Sequence, residues 1–170
     1  KPYLPMPYDS FSVNYREDSL LQIIGNYIRT HKPSVLFTLD DVTGGYGHPD
    51  HVMMSRLVIR YCKEHKFDTG FSVQKIYQAV FPPSQSERIM KNMPAYQEAK
   101  KTYHTAGMPA PDVQVGFYKY AKQKKECMTA YSTEQNSLRK IWPYYHWYPY
   151  WLYFRIFDRD FYRVLDVQKL

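Results

Sequence analysis

Val35-Leu36-Phe37-Thr38-Leu39 and, just beyond it, Gly44-Gly45-Tyr46-Gly47-His48-Pro49-Asp50-His51 form the stretch on which the fold turns. The first run is short, apolar and rich in β-formers, as a buried strand requires. Behind the glycines, Val52 to His65 has a helical pattern, and Pro49 suits the first helical position, where a missing N–H costs nothing. Strand, glycine loop, helix is the layout in which an open parallel α/β sheet binds ligands at the carboxyl ends of its strands. With His48 as the N-cap, His51 stands one turn into the helix, and residues three apart share a face. This reads as half of a metal-dependent active site.

The residue types suit that chemistry. Neutral imidazole is the commonest nitrogen ligand of zinc, and the positive end of a helix disfavours protonating a histidine placed there. Asp50, in the first helical turn, can orient a neighbouring ring. Gly45 and Gly47, with Gly44, let backbone approach a ligand without Cβ clashes, and Tyr46 between them offers a mobile phenol. The plainer alternative makes His48 and His51 polar caps of a helix start. The preceding strand, the glycine loop and the Asp between the imidazoles favour the site.

Outward from this stretch, Lys1 to Tyr15 carries Pro2, Pro5 and Pro7 and reads as irregular chain. Asp18 or Ser19 caps a helix whose apolar positions include Leu20, Ile24 and Ile28, and Lys32-Pro33 ends it. That helix and the strand after it make one right-handed crossover, which leaves Asp40 and Asp41 at the carboxyl rim, within reach of the site but more commonly a loop-capping pair. Downstream, the pattern predicts a strand over Val73 to Phe81 and helices over Ser84 to Lys91 and Pro94 to Ala106, the second ended by Gly107. A strand over Val113 to Phe117, a helix over Tyr118 to Gln135 and a last strand over Phe161 to Leu165 follow. Trp142 to Phe157 holds all three tryptophans and seven tyrosines and phenylalanines. Sugar stacking, a membrane interface and core filling all suit such a run.

The segment Pro33 to Glu64 resembles the second signature of the PIG-L/LmbE family of zinc-dependent N-acetylglucosaminyl deacetylases, closest to the mycothiol-pathway branch. The resemblance implies a Rossmann-like three-layer α/β sandwich with a mostly parallel sheet. It implies that His51 is a zinc ligand and that His48 stabilises the oxyanion and assists the leaving amine. Asp50 then tunes His48, Tyr46 is the active-site tyrosine, and Gly45, Tyr46 and Gly47 line the substrate. Zinc is the implied cofactor, another divalent metal being compatible. The family's first signature, His-Pro-Asp-Asp, supplies the other ligands and the general base. The only His-Pro here is His48-Pro49. The expectation is therefore the carboxyl-terminal portion of such a domain, incomplete on its N-terminal side and inactive by itself. Where the family carries a histidine near the end of a later helix, Tyr131 stands here, so no role passes to it.

The 170 residues suffice for one substantial core, and a single domain over 1–170 is expected. Twenty-three basic residues against 16 acidic ones give a net charge of +7, which suits anionic partners but more often reflects a solvated surface. No nucleic-acid partner is expected. Two cysteines without a Cys-x-x-Cys spacing suit a reducing compartment, hence the cytoplasm. No apolar run reaches the length of a transmembrane helix, and homo-oligomerisation stays open. The function expected of the complete protein is hydrolysis of an acyl group, acetyl in the commonest case, from an N-acylated amino sugar. The alternative is a non-catalytic module on the same fold that binds a sugar or lipid headgroup.

Overall fold

A computed structural model describes residues 5–170 of the chain. The irregular start expected for Lys1 to Leu4 lies outside the described residues. The elements run α1 (Tyr8–Ser12), α2 (Glu17–His31), β1 (Val35–Leu39), the tight turn α3 (Gly44–Gly47), α4 (Pro49–His65) and β2 (Lys75–Val80). Then come α5 (Pro83–Met90), α6 (Pro94–Thr102), β3 (Val113–Gly116), α7 (Ala121–Ala130), α8 (Gln135–Ile141), α9 (Tyr150–Ile156) and β4 (Arg159–Asp166). The chain is a mixed α/β structure with an open sheet in the order β1-β2-β4-β3. It divides into two compact units, one made of the chain up to Val113 with Tyr162–Leu170, the other of Gln114–Phe161.

In the first unit, α2 starts with Glu17 and Asp18 and ends with Arg29 and His31, charges that suit both ends of its dipole. It stops at Lys32, which takes a left-handed conformation (φ 45°) and donates its amide to Ile28 O, and Pro33 then forbids continuation. β1 follows at once and pairs parallel with β2, Val35 opposite Lys75 and Leu39 opposite Ala79. Alternation sorts its side chains. Leu36 packs onto a core of Ile28, Tyr61, Cys62, Val73, Ile76 and Val167. On the other face Phe37, Tyr77 and Tyr162 stand with ring centroids 5.5–5.7 Å apart. Gly25 lets α2 lie close on α4, since a Cβ there would meet the Tyr61 ring at 2.6 Å. β1–β2 is the parallel pair. The amide of Val167, just past β4, donates to Gln74 O at 3.0 Å, which puts the carboxyl end of β4 beside the start of β2.

Several boundaries differ from those the sequence suggests. The proline-rich start contains a short helix, α1. The helix from Pro94 stops at Thr102, because His104 adopts a left-handed φ of 50°. The long helix expected over Tyr118 to Gln135 is broken at Tyr131 (φ −76°, ψ 62°) into α7 and α8. Gln135 stabilises the break, its Nε2 donating to Met128 O at 2.8 Å and to Tyr131 O at 3.0 Å, the latter also accepting from the Glu134 amide at 3.2 Å.

The second unit is helical around Phe117, Ala121, Met128, Tyr145, Tyr153 and Phe154. Lys124 anchors it, with Nζ on both Asp160 oxygens (2.6 and 2.5 Å) and 4.1 Å from the centre of the Phe117 ring. The aromatic run is therefore divided. Tyr145, Tyr153 and Phe154 fill this core, while Tyr144, Trp147 and Trp151 are exposed. No helix among the described residues is long and apolar enough to cross a membrane.

Candidate metal centre

The turn between β1 and α4 is organised by Asp40, which is fully buried. Its carboxylate accepts from the amides of Val42 (3.0 Å), Thr43 and Gly45 (2.7 Å) and from the Thr43 hydroxyl. A carboxylate is acceptor-only, so it can gather these donors where a neutral amide side chain cannot. The chain can curl this tightly because Gly44, Gly45 and Gly47 have φ of 58°, 83° and 103°. Close approach is a separate demand. A Cβ on Gly44 would lie 2.7 Å from His51 Cβ and 2.9 Å from Val52 N, and one on Gly47 2.6 Å from Ala99 Cβ. At both positions the approaching partner is the protein's own α4 or α6. Gly45, though buried, is under no such pressure, since a Cβ there would meet only Leu39 Cδ2, at 3.7 Å.

Asp41 turns the other way. Its Oδ1 accepts from Gln78 Nε2 and Arg163, both at 3.0 Å, and Gln78 also donates to Ser55 Oγ at 3.0 Å. Ser55 in turn donates to Leu39 O at 2.8 Å, so β1, β2, β4 and α4 are tied together at the carboxyl end of β1. Both aspartates thus serve the scaffold. Gln78 and Tyr103, which donates to Gly47 O at 3.3 Å, carry no sequence signal for these roles. Burial raises the Tyr103 pKa, so this phenol keeps its proton and stays a donor.

On that platform, α4 begins with His48 as N-cap residue and Pro49 as its first residue, and it presents His48, Asp50 and His51 together. The two imidazoles lie 4.9 Å apart and 30° from parallel, and Tyr46 stands edge-on to His51 at 5.3 Å. His48 Nδ1 is in direct contact with Asp50 Oδ1. His51 Nδ1 lies 3.0 Å from Gly44 O. A carbonyl has no proton to give, so Nδ1 carries the hydrogen, which makes Nε2, 3.8 Å from Asp50 Oδ1, the nitrogen with the lone pair in the neutral ring. One donor atom from each of the three residues lies within 4.8 Å of the others. His51 thereby meets the usual condition for a metal-bound histidine, a ring fixed by a hydrogen bond from its far nitrogen. The side chains are partly exposed, His48 at 13 % and His51 at 29 %, so the group is open to a solute.

An α/β platform with a His-Asp-His group at a strand's carboxyl end is the class that structure alone defines. A likeness to a particular protein goes further. Over 95 residues the chain is 32% identical to a 1D-myo-inositol 2-acetamido-2-deoxy-alpha-D-glucopyranoside deacetylase of Acidothermus cellulolyticus, a stretch covering 56% of this chain and 30% of that protein. No family model matches the chain, and no solved structure matches it.

Proposed function

We propose that these residues belong to a zinc-dependent amide hydrolase that removes an acyl group, acetyl in the commonest case, from an N-acylated amino sugar. The observation that carries this reading is His51, with Nδ1 committed to Gly44 O and Nε2 presented beside the His48–Asp50 pair. The likeness to a deacetylase supports the reaction class. His51 Nε2 would hold the metal. When bound, zinc polarises the acyl carbonyl and lowers the pKa of its water. His48 donates a hydrogen bond toward the oxygen on which charge develops, and then a proton to the departing amine. Asp50 holds the His48 ring in orientation through its contact with Nδ1. Tyr46, edge-on to His51, closes one side, and the partly exposed faces of His48 and His51 are where substrate can approach.

One ligand does not make a catalytic zinc site, which ordinarily has three. We therefore place the remaining ligands and the general base outside these residues, on the rest of a Rossmann-like sandwich whose β1 edge is open here. The test compares this chain with the same chain extended by whatever its gene encodes upstream. Each is assayed for zinc content and for amine release from an N-acetylglucosaminyl conjugate. The extended protein is expected to hold one zinc and turn over, and this chain alone to do neither. An extended protein that binds the sugar conjugate but releases no amine would establish the binding module instead.

A further inference from the structure

The unit Gln114–Phe161 carries an apolar surface that its own core does not use. α9 reads Tyr150-Trp151-Leu152-Tyr153-Phe154-Arg155-Ile156. At about 100° per residue, Tyr153 and Phe154 share one side and enter the unit's core. Trp151, Leu152, Arg155 and Ile156 fall on the opposite arc. Trp151 is 55% and Ile156 72% exposed, and Trp147, just ahead of the helix, is 72% exposed. A helix that is apolar on both sides belongs in a buried setting, and here only one side has one.

Charge selects the covering partner. The unit holds eight Lys and Arg against four Asp and Glu. Three of the four acids are ion-paired inside it, Glu126 with Lys122, Asp160 with Lys124 and Asp158 with Arg159. Lys119, Lys125, Arg139, Lys140 and Arg155 have no carboxylate partner among the described residues. Lys125 donates to Tyr148 O at 2.6 Å, so this positive charge reaches the aromatic run, and Arg155 lies on the exposed arc itself. A second copy would bring the same positive charge and be repelled. Single-stranded nucleic acid would use the aromatic planes but gains nothing from Leu152 and Ile156. Tryptophan and tyrosine rings around exposed aliphatics, with basic residues beside them, match the boundary between headgroups and acyl chains.

We propose that the face formed by Trp147, Trp151, Leu152 and Ile156 docks on an anionic phospholipid surface. The rings sit at headgroup level, the two aliphatic side chains reach the acyl boundary, and the basic residues face the lipid phosphates. Trp142, Trp147 and Trp151 are all the tryptophans in the chain, so its tryptophan fluorescence reports on this unit alone.

The test is flotation of the whole chain with phosphatidylcholine vesicles, with and without one third phosphatidylserine, at low and high salt. Binding is expected to the anionic vesicles only and to weaken with salt. Lipids brominated on the acyl chain should quench the tryptophans of the unmodified chain. Arg155→Gln with Lys140→Gln should weaken binding roughly 30-fold, at about 1 kcal/mol per basic residue near the surface. Trp147→Ser with Ile156→Ser should weaken it about 10-fold or more, with an unchanged circular dichroism spectrum. Equal or absent binding to both vesicles, or no quenching, overturns the proposal. So does a dimer in sedimentation that Trp147→Ser with Ile156→Ser dissolves, or salt-sensitive RNA binding by a chain that ignores vesicles. No readout involves metal or turnover, so failure here leaves the hydrolase reading standing, and the converse also holds.

Discussion

Gly47 and Gly45 stand two residues apart in one turn, both with left-handed backbone, yet alanine should affect them unequally. At either position alanine takes on a backbone conformation worth about 1–3 kcal/mol of strain. At Gly45 that is nearly the whole cost, because the new methyl has only Leu39 Cδ2, at 3.7 Å, within reach. At Gly47 the methyl would lie 2.6 Å from Ala99 Cβ and 2.9 Å from Ala95 O, inside α6. Neither neighbour is the end of a flexible side chain, so α6 or the turn must retreat by the better part of an ångström. Overpacking of that kind adds about 1–3 kcal/mol. Gly45→Ala should then cost about 2 kcal/mol and Gly47→Ala about 4. In urea, with a denaturant slope near 2 kcal/mol/M, the two midpoints should differ by roughly 1 M at equal slope. Equal midpoints, or a less stable Gly45→Ala, would refute the claim that this turn is locked against α6.

Four further predictions concern the site, its support and the core. In the extended protein, His51→Ala should abolish zinc binding, measured by metal analysis. His48→Ala should keep the metal and lower turnover by the order of 100-fold, the usual loss when an oxyanion-stabilising donor goes. Asp40→Asn should destabilise the chain by about 2–4 kcal/mol in urea, since the amide turns a donor toward the amides of Val42, Thr43 and Gly45. Alkali should unfold the chain by way of Cys62, whose thiol burial pushes from 9.0 up to about 12. The folded pKa lies above the unfolded one, so this contribution is fully present below pH 9 and is lost as pH rises toward 12. Between pH 9 and 10 this thiol proton contributes a slope of about 1.4 kcal/mol per pH unit, and above pH 10 the phenols of Tyr8 and Tyr153, which burial also pushes from 10.0 up to about 12, add to it. Cys62→Ala should remove that slope from urea midpoints measured between pH 9 and 10, and leave the tyrosine contribution above pH 10 in place.

The elements around the site were legible because their signals are local. The apolar run Val35–Leu39 predicts the bounds of β1, though not its setting, since the strand expected to be buried lies at the sheet edge with Phe37 68% exposed, and Pro49 after His48 marks the first turn of α4. The grouping of His48 and His51 needs only a spacing of three on one helix. What the sequence hides is held by distant partners. Gly44 and Gly47 look like room left for a ligand, but α4 and α6 take that room, and nothing near Gly47 points to Ala99. The break between α7 and α8 depends on the Gln135 amide reaching back to Met128 O and Tyr131 O, in a segment whose pattern is otherwise helical throughout. Gln78 reads as one more residue in an alternating strand, and only the fold shows it bridging Asp41 and Ser55. In the aromatic run, alternation of core and surface follows from how α9 rests on α7, which composition does not encode.

The central claim is that His51 Nε2 is a metal-binding nitrogen beside a His48–Asp50 pair, within a site that these residues do not complete. Zinc titration of this chain, followed by ring-nitrogen NMR of its histidines, tests that claim most directly. His51 should start as the Nδ1–H tautomer, and its Nε2 should be the nitrogen that responds to zinc, weakly and without saturating at one equivalent. His48 should shift less and keep its coupling to Asp50. Tight stoichiometric binding, or an Nε2–H tautomer at His51 with the zinc response elsewhere, would contradict it.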